Sequence, residues 1–150
     1  MPTRPIDARD WLFEVEDNVS GTWLPIRGLN NFSHNPGENR ETAETTDFDS
    51  NGRYEEDTMQ DGETITVQGF YEKDSATGAR DPGQAYVDTW ARRLSTDSHN
   101  RVRYRHETEL TTWAVWDATV SPSERGGGNN DKTGWGAVFR RSGTPTTMAV

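Results

Sequence analysis

Asp47-Phe48-Asp49-Ser50-Asn51-Gly52 sets carboxylates two residues apart ahead of a glycine, which is how a calcium-binding loop begins. The twelfth position of such a loop should supply a bidentate glutamate; here it is Thr58, and no helical pattern flanks the run. A polar β-turn at Asn51-Gly52 accounts for the same residues. His34, His99 and His106 are the only histidines, and none stands at metal-ligand spacing from another. Ser33-His34 is an adjacency in sequence, which says nothing about a nucleophile and its base in space. The chain has no cysteine, which excludes a thiolate zinc site, a cysteine nucleophile and a disulfide frame. There is no Gly-x-Ser-x-Gly and no dinucleotide fingerprint, and Gly126-Gly127-Gly128 lacks the lysine and strand context of a phosphate loop. No two of the acids can be singled out at the separation glycoside hydrolysis requires. Neither an enzyme nor a metal or other cofactor is expected.

Charge is the stronger signal. The net charge is -9, and ten acidic residues between Gly37 and Glu63 stand against only Arg40 and Arg53, so that one segment carries -8. A chain with this balance does not grip phosphate as a general nucleic-acid binder does. Hydrophobic residues make up 30% of the chain and six of them are tryptophan, so the core is expected to be thin, built from aromatics and in need of neighbours. Tryptophans in a β domain could also form a platform for sugars, which makes a β-sandwich carbohydrate-binding module the alternative function. No leader-like segment opens the chain and no run approaches a membrane span, so a soluble protein without membrane insertion is expected.

The elements that must position these residues are mostly strands. The one helical stretch runs from about residue 82 to 95: Asp81 caps it, Pro82 occupies its first turn, and Val87, Trp90, Ala91 and Leu94 recur at helical spacing. Val87, Trp90 and Leu94 are predicted to dock it against a sheet, burial of Trp90 and Leu94 contributing roughly 1.5–3 kcal/mol each. An Asp88–Arg92 pair on its outer side would add only tenths. Trp11, Phe13 and Val15 alternate with Leu12, Glu14 and Glu16 as a half-buried strand; Thr22 to Arg27 is a second, demoted to an edge or a bulge by Pro25. Glu63 to Tyr71, Arg101 to His106, Leu110 to Ser121 and Gly134 to Arg141 follow as strands. Trp113 and Val115 on one side and Trp116 and Val120 on the other require the Leu110 to Ser121 strand to be covered on both faces. Arg101, Arg103 and Arg105 form a ladder on one face, where three like charges want a solvated or acidic partner. Residues 30 to 62 hold too few apolar side chains for a packed element and read as a protruding loop or hairpin. The class is mostly antiparallel β with one helix, in one domain.

Trp23-Leu24-Pro25-Ile26-Arg27-Gly28-Leu29, Glu44-Thr45-Thr46-Asp47-Phe48-Asp49-Ser50-Asn51-Gly52, Thr64-Ile65-Thr66-Val67-Gln68-Gly69 and Asp81-Pro82-Gly83-Gln84, in that order, resemble the major tail tube protein of long-tailed bacteriophages. The resemblance implies an antiparallel β-sandwich or small β-barrel flanked by one helix, assembling as hexameric rings that stack into a hollow tube for DNA ejection. The implied partners are further copies of the chain, the tape measure protein, and the tail terminator or distal tail proteins of the same virion. Double-stranded DNA would pass through the lumen without specific binding. The implied location is the virion tail tube, after synthesis in the host cytoplasm. Contacts between subunits or rings would fall on Asp47, Phe48, Asp49, Tyr54, Glu55, Glu56, Asp57 and Met59 of the long loop and on Arg101, Arg103 and Arg105. In such a tube the arginine ladder would face another subunit's acids between Glu55 and Glu63 or lie on the outer wall.

Overall fold

The computed structural model describes residues 2–150. Ten strands and one α-helix run in the order β1 (Trp11–Glu16), β2 (Trp23–Pro25), β3 (Leu29–Asn35), β4 (Glu41–Glu44), β5 (Glu56–Gln60), β6 (Thr64–Phe70), α1 (Pro82–Trp90), β7 (Asn100–His106), β8 (Thr112–Pro122), β9 (Gly134–Arg141) and β10 (Thr146–Ala149). The main sheet is antiparallel throughout, in the order β2-β1-β7-β8-β9-β6-β3, with β10 added to β8; β4 and β5 form a separate two-stranded ribbon. The long segment predicted to begin at residue 30 therefore begins later. Its first residues are β3, which pairs with β6 from Leu29↔Gly69 to Asn35↔Thr64 and is bulged between Leu29 and Asn31.

The sheet curls over on itself. Trp11 of β1 and Phe32 of β3 lie on strands five places apart in the sheet, yet their rings stack at 5.1 Å. Inside the curl the period-2 alternation of each strand delivers one row: Phe13 and Val15, Ile65 and Val67, Val102, Trp116 and Ala118, and Trp135, Ala137 and Phe139. Gly69 is where β3 and β6 approach too closely for a side chain, since a Cβ there would lie 2.1 Å from the Gly28 carbonyl oxygen.

The helix closes this core. The Asp81 carboxylate accepts from the Gln84 backbone N–H at 3.0 Å, the cap that the sequence predicts. Gln84 is fully buried and ties the helix to two linkers, its amide donating to the Arg27 and Phe70 carbonyls at 2.8 Å while its oxygen accepts from Glu72 N–H at 3.1 Å. Val87 and Trp90 are at 0% and 1% exposure, and the Trp90 indole lies 5.6 Å from Phe139. Leu94 is a correction: it is 80% exposed and docks nothing. The helix stops at Trp90, where Arg92 and Arg93 N–H groups shift to partners three residues back and Leu94 becomes extended at φ -123°. The Trp90 Nε1–H donates to the Ser98 carbonyl at 2.6 Å, so the chain folds back beneath the indole and turns Leu94 outward. Asp88 does not serve Arg92 either. It binds Arg80 at 2.7 Å, contacts Arg125 and accepts from Trp135 Nε1–H at 3.2 Å, pinning the glycine-rich loop to the helix.

Candidate functional site

No group of three or more histidine, cysteine or acidic side chains among the described residues is placed to hold a metal ion. No helix of the described residues is long and apolar enough to cross a membrane. Two surfaces remain on which the sequence places candidate contacts, the β4–β5 ribbon and the arginine ladder of β7.

The ribbon projects from one end of β3 and β6 and buries almost nothing. Every residue from Glu41 to Asp61 is exposed except Ser50. Phe48 is at 102% exposure, Met59 at 69% and Tyr54 at 66%. Glu44 stands directly opposite Glu56, so like charges face each other at that rung of the ladder, an unfavourable arrangement for a hairpin standing alone. Local polar bonds shape the tip instead. Asp47 caps a 3-10 turn over Phe48–Ser50, its Oδ1 accepting from Asp49 N–H at 3.0 Å, and Asn51 takes the left-handed conformation at φ 54°. Ser50 Oγ–H donates to Glu55 Oε2 at 2.7 Å, and Tyr54 donates its hydroxyl to Glu56 at 3.1 Å, which raises the Tyr54 phenol above its ordinary range. The calcium-like run is thus a capped turn. Asp47, Glu55 and Glu56 shape the ribbon, while Phe48, Asp49, Asp57 and Met59 make no side-chain hydrogen bond and face outward.

A polar cluster holds the root of the ribbon. His34 Nε2 of β3 lies 2.9 Å from Glu63 Oε1, just before β6, and Arg141 at the end of β9 contacts Glu63 at 2.7 Å and Asp61 at 3.1 Å. The His34 ring packs against Tyr104 at 5.2 Å and Trp116 at 5.5 Å. Sequence spacing had no means of finding this cluster, because its members are brought together only by the pairing of β3, β6 and β9. Burial, and secondly the charge of Glu63, push the Tyr104 phenol up to about 12. Unfolded tyrosine loses its proton near pH 10. The folded protein thus holds one more proton across pH 10 to 12, and its stability falls as pH rises through that window. Followed by phenolate absorbance, Tyr104 is expected to give a late component near pH 12, and Tyr104→Phe to remove it. Persistence of that component in the variant would refute the assignment.

The arginine ladder finds partners within its own chain. Arg103 pairs with Glu14 and Arg101 with Glu16 at 3.1 Å, both acids lying on the neighbouring β1. The Arg103 guanidinium sits between Trp23, 4.5 Å away, and Trp113, 4.1 Å away, and Arg105 lies 4.8 Å from Trp113 while donating to the Glu109 carbonyl at 2.9 Å. The outer face of β8 is therefore covered by the chain's own arginines together with Met148 of β10, whose sulfur lies 3.3 Å from Arg103. Two members of the ladder, Arg101 and Arg103, thus have carboxylate partners within the chain, while Arg105 has none and its buried Nε lacks a hydrogen-bond partner. Trp90, Trp113, Trp116 and Trp135 are buried, Trp11 is stacked on Phe32, and Trp23 lies under the arginines.

Compared with known proteins, the chain matches no protein-family model and no curated protein by sequence. Its structure matches a chain from the C6-symmetric tail of an empty gene transfer agent particle with a TM-score of 0.71, covering 97% of this chain and 100% of that one at 16% identity. The chain shares its fold with that tail chain. The same fold recurs in a chain from the virion of a native gene transfer agent particle, with a TM-score of 0.67, 14% identity and the same coverage of both chains. The shared fold includes both surfaces described above, since only a few residues of this chain fall outside the match.

Proposed function

We propose that this protein is the tube subunit of a phage-like tail, assembling as hexameric rings that stack into a conduit for DNA and catalysing nothing itself. The observation that carries this reading is the ribbon, an ordered arm with exposed Phe48, Tyr54 and Met59 that seats none of them on its own body. An arm of this composition gains its apolar burial only from a neighbour. Six-fold symmetry in the tail whose chain shares the fold supports the ring. The acidic balance of -9 supports the conduit, because a wall rich in unpaired lysine and arginine would hold DNA, which carries about one charge per 1.7 Å of axis. The tape measure protein and the terminator or distal tail proteins would then bound the tube at its core and ends.

Electron microscopy of the purified protein tests the proposal. Rings or tubes are expected as concentration rises, and a persistent monomer at high concentration would overturn it.

A further inference from the structure

An open groove runs along the seam where the curled sheet fails to close, between β1 and β3. Two adjoining depressions of about 200 and 290 Å³ share Arg9, Trp11 and Leu29, and are lined further by Phe32 in one and Arg27 in the other. Each is far larger than a single water's share of liquid volume, about 30 Å³. The floor is the stacked Trp11 and Phe32 pair. Arg9 and Arg27 are exposed on the rim, and no carboxylate among the described residues lies within ion-pair distance of either guanidinium. Glu14, the one acid lining the groove, is held by Arg103.

The ribbon tip has the complementary character, an exposed Phe48 between two aspartates in a segment of charge -8. Its position matters as much. The ribbon leaves β3 beyond Asn35, whereas the groove lies at the Leu29 end of the same strand. The tip of a copy does not reach its own groove, since Phe48 is at 102% exposure. A knob and a socket at opposite ends of one strand make a head-to-tail contact, and such contacts close into rings or run on as filaments. We infer that the Asp47-Phe48-Asp49 tip of one copy seats in the β1–β3 groove of the next, with Phe48 on the Trp11–Phe32 floor and Asp49 against Arg9, the arginine that lines both depressions. This inference rests on the tube-subunit reading and names the surface that receives the arm.

Because the chain has no cysteine, cross-linking reports the contact directly. Asp49→Cys protein mixed with Asn30→Cys protein, assembled and then oxidised, is expected to give a reducible dimer containing one of each; Asp49→Cys with Arg92→Cys on the helix is expected to give none. In a second arm, Arg9→Glu is expected to raise the concentration needed for assembly about tenfold, and adding Asp49→Arg to the same chain to restore it. Both positions are exposed, so folding is preserved and is verified by the melting curve. If the wild-type protein never assembles, the tube reading and the groove fall together. If it assembles but the tip cross-links to the helix position rather than to Asn30, or the charge exchange fails to rescue, the groove is refuted and the tube stands.

Discussion

Trp90→Ala is expected to destabilise the subunit by about 3–5 kcal/mol, the range for truncating a buried aromatic. The indole is at 1% exposure, lies beside Phe139 in the core and donates to the Ser98 carbonyl at 2.6 Å. Its removal opens a cavity between helix and sheet and strands an acceptor that folds the following turn back beneath the helix. Against a total stability of about 5–15 kcal/mol for a typical domain, that is a large share. Leu94→Ala, four residues on, is expected to change stability by less than about 0.5 kcal/mol, because Leu94 faces solvent at 80% exposure. Urea unfolding of the two variants checks both statements. Comparable losses would mean that the helix continues to Leu94 in solution.

The contrast between Trp90 and Leu94 shows what could be read from the chain alone. Helical spacing predicts both as docking residues, and the start at Asp81-Pro82 is legible because a cap and a first-turn proline are local signals. The end is not local. It is fixed by an indole hydrogen bond to Ser98 and by Ser95 at φ 56°, neither of which leaves a mark in apolar spacing. Strands β1, β6, β7 and β9 were legible because their inward residues alternate without interruption. β3 was not, since Leu-Asn-Asn-Phe-Ser-His-Asn offers two apolar side chains and a bulge shifts the register between them. The ladder of Arg101, Arg103 and Arg105 was visible, but its partners Glu16 and Glu14 are more than eighty residues away and are selected by strand pairing. The acidic, apolar-poor character of the ribbon was legible, being composition. The root cluster of His34, Glu63 and Arg141 was not, because three strands must pair before it exists.

Phe48→Ala is expected to have the opposite profile to Trp90→Ala, leaving the subunit as stable as before while removing assembly. Nothing in the monomer depends on the ring, which is at 102% exposure and lies on a turn whose shape is set by Asp47, Ser50 and Glu55. In an assembled tail the same ring would be the most exposed apolar group of an arm rich in carboxylates. Burying it is worth roughly 1.5–3 kcal/mol at each contact, or about ten- to a hundredfold in affinity. Since every subunit would both offer and receive an arm, the deficit recurs at every contact and is felt by the assembly as a whole. The melting temperature of the variant should match that of the parent monomer, while sedimentation finds no rings or tubes at concentrations where the parent forms them. Tyr54→Ala should behave alike but more weakly, because Tyr54 is less exposed and its hydroxyl is already engaged by Glu56. If Phe48→Ala instead melted early and still assembled, the ribbon would be seated on its own subunit in solution and the arm would have no role between copies. The two substitutions therefore separate the two demands on so few apolar side chains: Trp90 holds one copy together, and Phe48, left outside, is the side chain proposed to hold the copies to each other.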